Sequence, residues 1–252
     1  MLDKPHDTQP VARAPISALR HYWTDETGRR QFLNHLFDDT AGDYDFVERL
    51  LGFGSGPWYR RRALQRAGLR PGMRVLDIAT GTGLVAREAL AAVGTGGSVI
   101  GLDPSEGMLE QASLLKIPLV RALGERLPCR DGSFDFVSMG FALRHVAELE
   151  PLFSEMRRVL KPGGSACILE ITHPRRALIA TALRIFMTRV VPAIAQFSNR
   201  HHPAKDLMQF YWDTIEACVP PEAVLAALQR SGFEAPRRAV LLGMFSEYVA
   251  NK

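Results

Sequence analysis

Asp77, Gly81, Thr82 and Gly83 stand in the order Asp-x-x-x-Gly-Thr-Gly, and Asp103 is the twentieth residue after Gly83. This spacing suits a nucleotide-like ligand. The glycines let the chain turn sharply and pass close to a bound molecule. The first N–H groups of the helix that follows are left to meet it. A carboxylate at the end of a second strand can accept both ribose hydroxyls. Gly81-x-Gly83-x-x-Ala86 with Asp103 also satisfies the dinucleotide fingerprint, so a nicotinamide-dependent oxidoreductase is one reading. Asp77 points elsewhere. A carboxylate beside the turn repels a pyrophosphate and suits a ligand with an ammonium group and no phosphate.

The elements that position these residues follow from the pattern around them. Val75, Leu76, Ile78 and Ala79 form a short apolar run, expected of a strand buried on both faces of a parallel sheet. Leu84 to Val93 is rich in helix formers. Further strands are predicted at 98–102, 119–123, 134–140 and 165–171, with helices at 104–115 and 149–160 between them. Pro104 suits a first helical turn. The tail adds two strand-like runs, 238–242 and 244–249, about Gly243. Such alternation predicts an α/β, Rossmann-like fold: a mostly parallel seven-stranded sheet, helices on both faces and an antiparallel edge strand. Residues 1–15 read as a disordered leader and 16–252 as one domain. Within it, 16–68 form an N-terminal helical cap, interrupted at Gly52 to Pro57, and 172–222 form a helical insertion over the substrate site.

The chain of 252 residues is 46% hydrophobic and 23% charged, as expected of a soluble protein with a sizeable core. Its net charge of +4 is spread over short runs such as Arg60-Arg61-Arg62 and Arg175-Arg176, read as solvated surface. Attraction to an anionic membrane face is the alternative. Residues 178–197 are apolar, but Arg184, Arg189 and Pro192 argue against a membrane span. A helix packing on the cap or lying on a membrane surface fits better. No nucleic-acid motif is present. Cys129, Cys167 and Cys218 lack metal-ligand spacing and read as buried thiols of a reducing compartment. With no hydrophobic signal core, a cytoplasmic location is expected, with peripheral membrane contact and a homodimer both left open.

S-adenosylmethionine carries an ammonium group, a ribose diol and an adenine, and Asp77-x-x-x-Gly81-x-Gly83 resembles the first motif of the Rossmann-like methyltransferases that use it. More specifically, the chain is similar to the ubiquinone/menaquinone-biosynthesis C-methyltransferases. The matching pieces are Phe37-Asp-x-x-Ala41-x-x-Tyr44-Asp45, the glycine motif, Asp103-x-Ser105-x-x-Met108-Leu109 and Glu125-x-Leu127-Pro128. Phe141-x-Leu143-Arg144-x-Val146 and Arg158 to Gly164 continue them. The resemblance runs from about Phe32 to about Gly232. It implies that Thr82, Asp103, the Leu123-Gly124 pair and Gly140 line the cofactor site. Leucine at 123 replaces the family's Asp or Asn, and glycine at 140 its serine. The ending from Met244 and the His201-His202 pair also depart from the family.

The expected cofactor contacts are therefore Tyr44, Asp77, Gly81, Thr82, Gly83, Asp103, Pro104, Met108, Leu123, Gly124, Glu125, Gly140 and Phe141. Methyl transfer from a sulfonium needs positioning and desolvation rather than a protein nucleophile. A carbon acceptor needs a neighbouring hydroxyl ionised, so His145 or His173 is a candidate base and Arg144 a candidate oxyanion partner. Each histidine also has an ordinary structural reading. Tyr211, Trp212 and Phe210 are candidates for the wall of an apolar acceptor pocket, or for core. No metal is expected, because His201-His202 has no third ligand at a useful spacing. The expected acceptor is a small apolar or lipidic compound, a quinone-like or isoprenoid/aromatic carbon. Natural-product or phospholipid-headgroup methylation, and a non-catalytic module that keeps the crevice, are the alternatives.

Overall fold

The first strand, β1 (Arg74–Ile78), buries Val75, Leu76, Asp77 and Ile78 completely. A strand hidden on both faces needs a partner on each side and a layer of helices above and below. The computed structural model, which describes Leu19, residues 21–197 and residues 204–252, provides both. β1 pairs in parallel with β2 (Ser98–Asp103) and β4 (Phe134–Gly140). β3 (Leu119–Arg121) and β5 (Leu160–Ile171) extend the sheet outward, also in parallel. A hairpin of β6 (Glu234–Leu241) and β7 (Phe245–Asn251) closes one side, with β7 antiparallel to β5 and to β6. The order β3-β2-β1-β4-β5-β7-β6 accounts for the seven expected strands. Leu242 and Gly243 turn the hairpin with φ of 53° and 73°.

Boundaries moved where local chemistry intervened. β3 stops at Arg121, short of Leu123. β5 begins at Leu160, because a bulge between the Phe134–Leu160 and Phe136–Ser165 pairs absorbs the Lys161-Pro-Gly-Gly164 turn. Cys167 is buried, but Cys129 and Cys218 are only partly so.

Consecutive β1 residues feed opposite layers. Leu76 and Ile78 join α5 (Leu149–Val159) and α9 (Pro221–Arg230), while Val75 joins α2 (Gly56–Arg66) and α3 (Leu84–Val93). In α5 the buried set Leu149, Leu152, Phe153, Met156 and Val159 recurs every three or four residues, one helical face. α4 (Glu106–Ala112) follows β2, capped by the Ser105 hydroxyl on the Met108 N–H. Of the expected cap, α2 thus lies in a sheet layer, and α1 (Glu26–Leu51) forms the cap proper.

A third core joins α1 to the insertion: α6 (Ala177–Ile185), a π-helical turn at Phe186–Val190, α7 (Val191–Phe197) and α8 (Ala204–Glu216). Trp23, Phe32 and Phe210 meet there, with Phe210 edge-on to Phe32 at 5.4 Å. The helical run Ala177–Ala195 is long and apolar enough by composition to cross a membrane, with mean hydropathy 1.6. It is two-faced instead: Ala180, Met187 and Val191 are buried in the cap core, while Leu178, Ile185 and Ile194 face outward beside Arg184 and Arg189. The leader at 1–15 and the His201-His202 pair fall outside the described residues.

Candidate active site

The sheet order reverses between β1 and β4, so the chain leaves their carboxyl ends in opposite directions and opens a crevice. Each exit holds a non-glycine residue in left-handed backbone, Ala79 at φ 51° and Phe141 at φ 60°. Such conformations cost about 1–2 kcal/mol and persist where the surroundings fix them. Here the fixing bonds are visible. Thr80 N–H donates to the Leu102 carbonyl at 2.9 Å, and Phe141 N–H to the Leu169 carbonyl at 2.7 Å. Gly81, at φ 56°, donates its N–H to Asp103 Oδ2 at 2.8 Å.

Two cavities meet at this crevice. The first is lined by Asp103, Pro104 and Met108 beside β2, by Leu123, Gly124 and Glu125 after β3, and by His145 after β4. The second lies under α2, α6 and the β6–β7 hairpin, and is walled mainly by apolar side chains such as Val47, Leu51, Leu183 and Met187. Tyr44, Ala79, Gly81, Gly140 and Phe141 line both. Thr82 lines the second, and its hydroxyl donates to Asp45 Oδ1 of α1 at 2.5 Å, tying cap to glycine loop.

The first cavity suits an adenosine. Asp103 Oδ1 accepts the Ser105 N–H at 2.9 Å and Oδ2 the Gly81 N–H, which leaves each oxygen a second lone pair for a ribose hydroxyl. Burial pushes this carboxyl up to about 6, against the two backbone donors that favour its charge. Met108, 2% exposed, and Leu123 give apolar faces for a base. The Leu123 side chain has no hydrogen bond to offer an adenine amine. Gly140 has no room for a serine, since a Cβ there would stand 2.5 Å from Val85 Cγ2. The family's hydroxyl contact is therefore excluded by Val85.

Other expected site residues lie elsewhere. Asp77 and Gly83 line neither cavity. Asp77 is fully buried and accepts the Ser138 hydroxyl at 2.6 Å and the Thr80 hydroxyl at 2.7 Å, so it fastens the turn from beneath. Burial pushes its carboxyl up to about 6. Its charge is spent inside the protein and does not face a ligand. Gly83 sits at φ 89°, a left-handed conformation that strains any side chain. His173 is exposed on a separate outer cavity beside Arg175 and Arg238, away from the crevice. The Thr172 N–H, bonded to the Met244 carbonyl at 2.8 Å, carries the chain past the β5 end toward β7 and takes His173 with it.

His145 lines the cofactor-side cavity, stacked on Phe210 with centroids 5.5 Å apart and edge-on to Phe37 at 5.3 Å. Burial, then Arg144 and Arg29, hold its imidazole well below the usual histidine range. That makes it a weak base. Arg144 lines the apolar cavity, with Nη1 donating to Glu170 Oε1 and the Phe141 carbonyl, each at 2.6 Å, and Nε to Thr214 at 3.2 Å. Burial opposes its charge, but Glu170 holds the guanidinium above its ordinary value. Tyr211 lines the apolar cavity 5.1 Å beneath Arg144, whereas Phe210 and Trp212 are core. Burial also pushes the Tyr44 phenol up.

Several site residues escaped the sequence reading. Glu170 is a lone carboxylate in an apolar strand and is completely buried; that contrast was its signal. Asp38 joins α1 to α4 through Ser105 Oγ at 2.5 Å and the Gly107 N–H at 3.0 Å. Arg60 was read as solvated surface with Arg61 and Arg62, yet it is 2% exposed. Its helical phase gives the reason: Arg60 shares a face with Ala63 and Leu64, three and four residues on, both buried. No cluster of metal-ligating side chains occurs among the described residues.

Comparison with known proteins gives the family and the fold. Residues 25–244 match the ubiE/COQ5 methyltransferase family. The ubiquinone/menaquinone biosynthesis C-methyltransferase UbiE of Geotalea uraniireducens is 35% identical over 196 residues, 73% of this chain and 83% of that protein. The demethylmenaquinone methyltransferase of Staphylococcus aureus is 31% identical over 228 residues, 88% of this chain and 86% of the relative. Among solved structures, phosphoethanolamine N-methyltransferase 2 of Haemonchus contortus, in complex with S-adenosyl-L-methionine, aligns with a TM-score of 0.62. It shares 18% identity and covers 89% of this chain and 60% of that one. A SAM dependent methyltransferase from Aquifex aeolicus aligns with a TM-score of 0.56 at 21% identity, over 76% of this chain and 88% of that one. At those identities the structural likeness is one of fold.

Proposed function

The chain belongs to the ubiE/COQ5 methyltransferase family and is an S-adenosylmethionine-dependent methyltransferase, and from that premise we propose that it methylates a ring carbon of a quinol-like acceptor with an apolar side chain. The observation that carries this reading is the joined pair of cavities, one suited to an adenosine, the other apolar, sharing Tyr44, Gly81, Gly140 and Phe141 at the join. The bound cofactor supplies an electrophilic methyl on a good leaving group. Asp103 grips the ribose, with Met108 and Leu123 about the base. Tyr44 and the Phe141 backbone set the line between the cavities. Held so, the cofactor would supply its methyl to the acceptor's ring carbon, with S-adenosylhomocysteine as the leaving group and the ring proton passing to solvent. Arg144 stays cationic beside the acceptor and favours the ionised form of a ring hydroxyl, which raises the nucleophilicity of the adjacent carbon. His145, a weak base on the cofactor side, is not needed for that step.

The apolar cavity opens at a rim where Trp58 and Leu242 are 60% and 71% exposed, and Phe53, 82% exposed, stacks on Phe186 at 5.3 Å. This rim suits an acceptor delivered from a lipid surface. Demethylmenaquinol with a short prenyl chain, suggested by the name of the Staphylococcus aureus relative, is the first acceptor to try. With methyl-labelled cofactor, label on ring carbon supports the reading. Label on oxygen or nitrogen, or methylation of phosphoethanolamine instead, overturns it.

A further inference from the structure

The outer face of α6 is apolar yet exposed. Leu178, Ala182 and Ile185 recur every three or four positions and form one outward stripe, with Leu178 86% exposed. The opposite face is committed, since Ala180, Met187 and Val191 sit in the core shared with α1 and α8. The run therefore lies along the molecule and cannot cross a bilayer without unpacking that core. Leu242, at the hairpin turn, lines the apolar cavity with Leu183 and Trp58, and the outer cavity with Ile179 and Arg175. Helix, hairpin turn and cavity mouth are thus neighbours. Charge on this side is one-signed along the helix. Residues 171–197 contain four arginines, Arg175, Arg176, Arg184 and Arg189, all exposed, and no carboxylate. Arg175 meets Glu222 at 3.6 Å with both side chains mostly exposed, a pairing of little strength. In the outer cavity Arg238 donates to the hydroxyls of Ser246 at 3.0 Å and Thr172 at 3.1 Å, neutral partners that leave its charge in place.

We infer that this face docks on an anionic lipid bilayer, with Leu178, Ile185 and Leu242 entering the interface and the arginines on lipid phosphates. An arginine stem lies along apolar surface while its guanidinium reaches the phosphate layer. An exposed apolar face rimmed by such groups is the pattern of a surface-bound helix. A second copy of the chain fits less well. A two-fold contact would set the arginine-bearing helix against itself, with no carboxylate on that helix to answer it, and would close the cavity mouth. The inference deepens the quinol reading, on which it rests for the acceptor alone: the apolar cavity then opens toward the lipid that holds such a compound.

The test is flotation of the full chain with vesicles of phosphatidylcholine, alone or mixed with phosphatidylglycerol. Binding to the mixed vesicles should be roughly tenfold stronger or more, and should weaken as salt is added. The double variant Leu178→Gln/Ile185→Gln should bind both vesicles about fivefold more weakly or worse. Arg184→Gln/Arg189→Gln should lose most of the preference for phosphatidylglycerol and keep the weak binding to phosphatidylcholine. None of these four residues lines the two reactant cavities, so methylation of short-chain demethylmenaquinol in solution should be unchanged in both variants. Trp58 is exposed at the cavity mouth while Trp23 and Trp212 are buried. Brominated acyl chains should therefore quench the emission of wild type and spare Trp58→Phe. No binding to the mixed vesicles, binding without Trp58 quenching, or unchanged binding in both double variants overturns the inference. So does a dimer that Leu178→Gln/Ile185→Gln dissociates, which assigns the face to a second copy. Solution methylation without vesicle binding sinks this inference and leaves the quinol reading standing, and vesicle binding without that methylation does the reverse.

Discussion

The two cavities share a join but are made of different materials. The cofactor side is built mainly from strand ends and the turns that follow them. Asp103, Gly81, Gly124 and Gly140 occupy it through backbone placement, and its polar contacts are short bonds to main-chain N–H groups. The apolar side adds α1, α2, α6, α8 and the β6–β7 hairpin to the same turns, and its two buried arginines are held by carboxylates, Arg144 by Glu170 and Arg60 by Glu48. One cavity is shaped by the sheet and the other by packing. The first arrangement transfers with the fold, and the second is free to vary, which is where specificity is expected to sit.

The strongest way to break this contrast is at Glu170. Its carboxylate is fully buried against Arg144 and also accepts the backbone N–H groups of Arg144 and Ile171. Glu170→Ala strands a buried cation, and removing one partner of such a pair costs about 3–5 kcal/mol. Denaturant titration should show that loss, concentrated in exchange protection of the cap and the β4 exit. A loss below about 1 kcal/mol would mean that the pair is solvated and the acceptor side is not held as described.

Next in size is Asp103→Ala, which should weaken S-adenosylhomocysteine binding by about 1.5–3 kcal/mol by removing charge-assisted bonds to the ribose. Calorimetry measures it, and unchanged affinity in a folded variant removes the ribose assignment. The raised carboxyl adds a pH signature. With a folded value of about 6 and an ordinary unfolded value near 4, the folded protein binds the extra proton between those limits. The contribution of Asp103 to stability therefore grows as pH falls from about 6 to about 4, while its grip on the ribose weakens over the same window. Asp103→Asn should flatten the binding trend and remove one share of the stability trend, leaving that of Asp77, whose carboxyl is also raised to about 6. Glu26 and Glu155, whose carboxyls are lowered by arginine partners, lose stabilising charge at still lower pH and will mask the stability trend in wild type alone.

Gly140→Ser sharpens the comparison from the sheet side. Inserting a side chain 2.5 Å from Val85 should cost about 1–3 kcal/mol. Val85→Ala should recover most of that cost in the double variant, because the two sites share one space. Additive melting shifts would show that Val85 is not the obstacle.

The difference between the regions also explains what could be read from the residues alone. Strand–turn–helix alternation reports the sheet directly, so β1, β2, β4 and the crevice at their ends were legible from apolar runs and glycines. Asp103 was legible as a position by its distance from Gly83. Asp77 had the right spacing but the wrong direction: in a strand, successive side chains alternate faces, and only the surrounding hydroxyls of Thr80 and Ser138 show that it points inward. His173 was misjudged because strand-end position was equated with facing the ligand, whereas Thr172 follows the β7 pairing. The acceptor side was mostly illegible. Its shape depends on contacts between residues far apart in sequence, such as Glu48 with Arg60, and composition alone reads an arginine run as surface.

The smallest expected effect tests whether the join is strained or merely tight. Ala79 sits at φ 51° between β1 and the glycine turn, lining both cavities. Ala79→Gly relieves about 1–2 kcal/mol of left-handed strain but gives the unfolded chain about 0.4–1 kcal/mol of extra freedom. The sum is a variant between neutral and about 1.6 kcal/mol more stable. Ala89→Gly in α3, a fully buried helical position, has no strain to relieve and should cost about 1 kcal/mol or more. Opposite signs for the same chemical change, read by urea midpoints, would locate stored strain at the join. Equal costs would show that Ala79 is comfortable, and the meeting of the two cavities would then owe its shape to packing alone. If the signs differ, S-adenosylhomocysteine affinity should still fall in Ala79→Gly despite the gain in stability, since a freer turn must be ordered again when the cofactor binds.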